Sequence, residues 1–118
     1  MRMLERDRSR QAVENVQDRD AWKEACAVFG TEGARNRLCT FRSDLAGQLA
    51  RIGTDRPDHA TLRELAHQTA GRAGLFGFPA LAEASADLDE AVRQGHGIAA
   101  ALERWTRQAA RVAENPPG

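Results

Sequence analysis

The 118-residue sequence predicts an all-α fold, an antiparallel up-and-down four-helix bundle with a short extra N-terminal helix. Three observations lead there. The chain has 22 alanines, no tyrosine and only 5% aromatic residues, a composition that favours helix over sheet. From about residue 20 onward the apolar residues recur at i, i+3 and i+4 steps, with no β-like alternation of any length. The segments between these stripes are only a few residues long, and short connections make successive helices antiparallel neighbours.

Taken in order, residues 1–19 are charged on most sides, with Val13 and Val16 as a weak apolar edge, and read as an arm or an extra helix. Asp20 is a candidate cap for a short helix with Trp22, Ala25, Cys26 and Phe29 inward and Gly30 at its end. Thr31 is the next candidate cap, and the stripe Leu38, Phe41, Leu45, Leu49, Ile52 runs to Gly53. Thr54-Asp55-Arg56-Pro57-Asp58 reads as a turn. A helix from about Asp58 carries Leu62, Leu65, Ala66, Thr69, Ala73 and Phe76 and breaks at Gly77-Phe78-Pro79. Pro79 suits the first turn of the next helix, which buries Leu81, Ser85, Leu88 and Val92 and stops at Gly95-His96-Gly97. The last helix carries Ile98, Leu102, Trp105, Ala109 and Val112. The expected bundle is therefore residues 20–113, followed by a frayed tail at 114–118.

Composition excludes several function classes. Seventeen basic side chains balance seventeen acidic ones, whereas a protein that grips nucleic acid through many phosphates carries a basic excess. No apolar run approaches the ~20 residues of a membrane span. The opening Met-Arg-Met-Leu-Glu-Arg-Asp-Arg lacks the apolar stretch of a secretory signal, so a cytoplasmic protein is expected, with no nucleic-acid or membrane partner. Two cysteines, Cys26 and Cys39, make no disulfide framework and fall near apolar helix faces, where buried structural thiols are expected. Trp22 and Trp105 read as core residues near the ends of the bundle. The basic residues are 16 arginines and a single lysine, Lys23.

Of the three histidines, His59 opens a helix and His96 lies in a glycine-flanked loop, and both read as surface residues. His67 is different. At about 100° per residue it points roughly 140° away from the centre of its helix's apolar stripe, outward rather than into the core. Its side of the helix holds Arg63, Ala70, Gly71 and Gly74, so side-chain bulk is missing toward the C-terminus. A mid-helix glycine costs about 1 kcal/mol relative to alanine, and two of them call for something that offsets the loss. Either the small neighbours leave the imidazole open to a large partner, or they serve close helix packing or an early helix end. A solvated imidazole near pH 7 presents a nucleophilic nitrogen suited to accepting a phosphoryl group. The sequence has no GxxxxGK[ST] loop, no kinase-like glycine loop and no GxSxG elbow, so a phosphoryl donor and its metal would come from another protein.

The segment His67-Gln68-Thr69-Ala70-Gly71-Arg72-Ala73-Gly74-Leu75-Phe76-Gly77 resembles the phosphoacceptor motif of histidine-containing phosphotransfer (HPt) domains of bacterial two-component phosphorelays. In that family a histidine is commonly followed by Leu-Lys-Gly at two to four positions on, then by small residues and a further glycine. His67, Gly71, Ala73, Gly74 and Gly77 match, and Phe78-Pro79-Ala80-Leu81 through Leu88 and Ala91 is similar to the family's next helix. The resemblance covers about residues 20–113. It implies that His67 is the phosphoacceptor, reacting through Nε2, with Gly71 keeping the adjacent space clear. It further implies that phosphate passes from the aspartate of a response-regulator receiver domain to His67 and on to another receiver. It implies receiver domains, a hybrid histidine kinase or both as partners, and no kinase activity on the chain itself. No cofactor is expected on this chain; Mg²⁺ would sit on the receiver. Two positions depart from the pattern: Thr69 stands for the leucine and Ala70 for the lysine that helps neutralise the phosphoryl group. Arg63, one turn before His67, is the candidate replacement, since Arg72 lies nearly opposite. Glu64, Gln68 and Leu75 are candidates for the docking surface.

Two other readings compete. Glu64-Leu65-Ala66-His67 is an E-x-x-H string of the kind di-iron bundles use, but such sites need a second string and inward-facing ligands. The other is a non-phosphorylated HPt-like adaptor that only binds a receiver or kinase, a reading that Ala70 keeps open.

Overall fold

A computed structural model of the chain describes residues 17–114, all of whose regular structure is helical. The helices are α1 (Arg19–Phe29), α2 (Thr31–Thr54), α3 (His59–Phe76), α4 (Pro79–Gln94) and α5 (Ile98–Glu114). Residues 1–16 of the expected arm and 115–118 of the expected tail lie outside the described residues.

Helix boundaries follow local chemistry, with three corrections to the sequence reading. Asp18, not Asp20, caps α1, and its carboxylate accepts the Asp20 N–H at 3.0 Å. Gly30 rather than Thr31 is the N-cap of α2, because its φ of 77° ends α1 and starts α2 with no other residue between them. Helix α2 also runs one residue past Gly53, and the Thr54 hydroxyl donates back to the Ala50 and Arg51 carbonyls. The ends of α3 and α4 lie where the sequence puts them, and α5 runs through Glu114, the first residue of the expected tail. Asp58 caps α3 by accepting the Thr61 N–H at 2.8 Å, and Pro79 occupies the first turn of α4.

The predicted inner faces are buried nearly as read. Leu62, Leu65, Ala66, Thr69, Ala73 and Phe76 of α3 all lie inside, as do Leu81, Ser85, Leu88 and Val92 of α4. In α5, Trp105, Ala109 and Val112 are buried, while Ile98 and Leu102 are partly so. Trp105 is fully enclosed, and its indole N–H donates to the buried Ser85 hydroxyl at 3.0 Å. Trp22 only flanks the core. The cysteine reading is half corrected: Cys26 packs partly against the core, but Cys39 is exposed because it sits beside Leu38 rather than on its stripe.

Helix α3 packs on α4, α4 on α5, and α5 on α2; α1 lies against both α2 and α3. Side chains link α2 to α3. The Phe41 and Phe76 rings lie 5.8 Å apart, and Arg72 reaches Asp44 at 2.9 Å while lying over the Phe41 ring. Arg42 of α2 donates to the Val112 and Ala113 carbonyls, both at 3.0 Å, and so supplies partners for carbonyls that the end of α5 leaves unpaired. Gly77 is the tightest junction. It ends α3 in the left-handed conformation, φ 87°, and its carbonyl accepts the Asp18 N–H at 2.6 Å. A Cβ at this position would lie 2.7 Å from the Asp18 carbonyl oxygen, so α1 can seat on the end of α3 only over a glycine.

Candidate functional site

Six inward residues of α3 hold that helix against the core, and their spacing turns His67 outward. Its side chain is 66% exposed. His59 and His96 are exposed as well, at the start of α3 and in the α4–α5 turn. Among the described residues, His67 has a carboxylate of another helix beside its ring.

The space on its C-terminal side is open. Gly71 and Gly74 both lie within α3, both are exposed, and a Cβ built on either meets nothing within 4 Å among the described residues. Neither structural explanation for the glycines holds among the described residues, since no described helix approaches either of them and the helix continues to Phe76. Ala70 is half-buried between them and His67.

Arg63 is not where a free counter-charge would stand. Its Nε bonds the Asp89 carboxylate at 3.2 Å, across the α3–α4 interface. The same oxygen, Asp89 Oδ1, lies 3.4 Å from His67 Nε2. Three groups are thus gathered, two from α3 and one from α4. Asp89 is the residue that sequence reasoning missed. It borders the buried Leu88, so on its own helix it reads as an ordinary flank residue. A signal was available in the hairpin: His67 and Asp89 each lie eleven residues from Phe78, where the chain turns, and such equidistant positions face each other in a helical hairpin.

The docking candidates are all on the outside. Glu64 and Gln68 are exposed, and the Gln68 amide donates to the Glu64 carboxylate at 3.3 Å. Leu75 is 42% exposed, and Val28 of α1 is the other large apolar side chain on the described surface. Leu75 also borders a groove of about 350 Å³ with Phe29, Asn36, Arg37, Thr40, Arg72 and Phe76. Because Glu64 and His67 both face solvent, they do not form the inward ligand set of a di-iron bundle. Arg72 is held by Asp44 on the opposite flank of α3.

At the start of the helix, the Asp58 carboxyl is held below its ordinary value of 3.8 by hydrogen bonding from the Thr61 side chain and backbone N–H. That cap anchors the first turn of the helix that carries His67. Among the described residues no helix is long and apolar enough to cross a membrane.

A family model described as the Hpt domain matches residues 34–115, which take in most of α2 and all of α3, α4 and α5. No curated protein and no solved structure gave a match.

Proposed function

The chain belongs to the Hpt domain family, and from that premise we propose that it is a phosphorelay intermediate whose phosphoacceptor is His67. Hpt domains carry phosphoryl groups on histidine in phosphorelays, exchange them with receiver domains or kinases, and are not kinases themselves. The observation that carries the assignment to His67 is its exposed position on α3 beside two glycines whose Cβ directions open into solvent. The mid-helix cost of those glycines, about 1 kcal/mol each, is then offset in the complex, where a partner's backbone approaches closely.

In the proposed reaction the Nε2 lone pair attacks the phosphorus of a receiver aspartyl phosphate. The N–P bond forms as the P–O bond breaks, and its electron pair leaves on the receiver's carboxylate. The return reaction passes the group to a second receiver. The receiver supplies the acidic pocket and the Mg²⁺ that stabilise the transferring group. This chain supplies a positioned nucleophile and a docking face, for which Glu64, Gln68 and Leu75 are the proposed residues, and it works in the cytoplasm. The helical packing supports the antiparallel up-and-down bundle of α2 to α5, with α1 as the short extra helix closing one end.

The test is direct. The protein is mixed with a ³²P-phosphorylated receiver and examined for acid-labile label. The wild type takes up label and His67→Gln does not; label retained by His67→Gln would refute the assignment. A second reading has a specific observation behind it. Alanine stands at the lysine position and a carboxylate faces the imidazole, both of which disfavour a bound phosphoryl group. In that reading the chain is an adaptor, and it binds the phosphorylated receiver without ever acquiring label.

A further inference from the structure

His67, Arg63 and Asp89 form a group in which one carboxylate oxygen serves two partners. Asp89 is the fixed member. Its side chain is 16% exposed, against 48% for Arg63 and 66% for His67. Two physical consequences follow. An imidazole nitrogen that faces a carboxylate oxygen favours carrying a proton, since two lone pairs pointed at one another repel. A protonated Nε2 has no lone pair to offer phosphorus. A phosphoryl group on Nε2 would also bring negative charge against the negative charge of Asp89.

We propose that Asp89 is a positioning residue that holds His67 in a guarded state with its phosphoacceptor nitrogen masked, and that Arg63, bound to the same oxygen, sets how readily it is released. The proposal rests on the phosphotransfer reading above. At 3.4 Å the contact is longer than the ~2.7–3.2 Å of a well-formed N–H···O bond, so it is easily broken when a receiver docks. On release the ring turns from Asp89, Nε2 gives its proton to water, and Nδ1 takes one from water. The freed Nε2 lone pair then forms the N–P bond as the receiver's P–O bond breaks. Arg63 weakens the hold of Asp89 on the ring and cancels part of the charge that would repel the incoming group. Its work is therefore done through Asp89, not as a substitute for the family's lysine at position 70.

Four proteins test this: wild type, Asp89→Asn, Arg63→Ala and the double variant, each labelled from a ³²P-phosphorylated receiver. Asn keeps the shape of Asp89 but removes its charge. Asp89→Asn is expected to take up label about threefold faster, and Arg63→Ala about tenfold slower, scaled to charges that are partly screened by solvent. The loss caused by Arg63→Ala disappears when Asp89 is already Asn, because there is no carboxylate left to compensate. A second readout needs no transfer. A free imidazole already favours the Nε2–H tautomer, so the ¹⁵N shifts of the His67 ring in the unphosphorylated protein should show almost no Nδ1–H form in the wild type and a larger share of it in Asp89→Leu. Slower labelling of Asp89→Asn, an undiminished Arg63→Ala loss in the double variant, or ring shifts unchanged by Asp89→Leu each overturn the proposal. A wild type that binds the receiver but never labels overturns the phosphotransfer reading itself, and the proposal with it.

Discussion

Replacing Gly71 by alanine separates folding from function at the proposed site. Gly71 lies within α3, its backbone has no positive φ, and a Cβ there meets nothing within 4 Å among the described residues. The methyl group thus restricts the unfolded chain and improves helix propensity without meeting a neighbour. The expected gain is about 1 kcal/mol, or about 4–8 °C in Tm for a domain of this size. Urea denaturation should show a higher midpoint at unchanged slope. The same methyl stands beside His67 in the path of the partner, so label uptake from a phosphorylated receiver should slow. Gly77→Ala is the contrast. Its φ is 87° and its Cβ would lie 2.7 Å from the Asp18 oxygen, so it should lose stability. A destabilised Gly71→Ala would show that the open space is not real. A stabilised Gly71→Ala with undiminished label uptake would show that the space serves no partner, and the functional reading of the glycine would be wrong.

Two further expectations concern the frame that holds His67. Ser85→Ala removes the acceptor of the buried Trp105 indole N–H and should cost about 1–3 kcal/mol by denaturant unfolding, while Trp105 fluorescence still reports a buried ring; a loss near zero would show that the bond contributes nothing. Asp58 titrates below its ordinary value in the folded protein, so the unfolded chain takes up the proton first as pH falls. Its contribution is therefore complete at neutral pH and is lost as acid passes below 3.8 toward the folded-state value. Asp58→Asn should flatten this acid limb of stability against pH, and an unchanged limb would assign acid sensitivity to other carboxylates.

The elements were readable because each depends on residues a few positions apart. The stripes of α3 and α4 and the Asp58 and Pro79 signals needed no tertiary information. The misread starts of α1 and α2 have different causes. At α2 two helices meet with Gly30 alone between them, whereas α1 begins early where Asp18 is anchored to Gly77 at the end of α3. No local pattern contains that contact. Cys39 shows the same limit, since one helical position separates a core residue from an exposed one.

Sequence alone determined that this chain is helical, that His67 faces outward, and that small residues follow it, because helical periodicity is a local property of the backbone. The family motif gave the exposed histidine a chemical meaning. Only the tertiary structure decided what stands beside it. Gly71 and Gly74 lack bulk in the sequence, but it took the packed helices to show that no neighbour among the described residues fills the gap. Arg63 reads as a free cation one turn from His67, and the α3–α4 interface instead gives it to Asp89, along with His67 Nε2. The reason is electrostatic and geometric. The charge that an ionisable group feels is set by everything within a few ångströms, and here the nearest opposite charge is contributed by another helix.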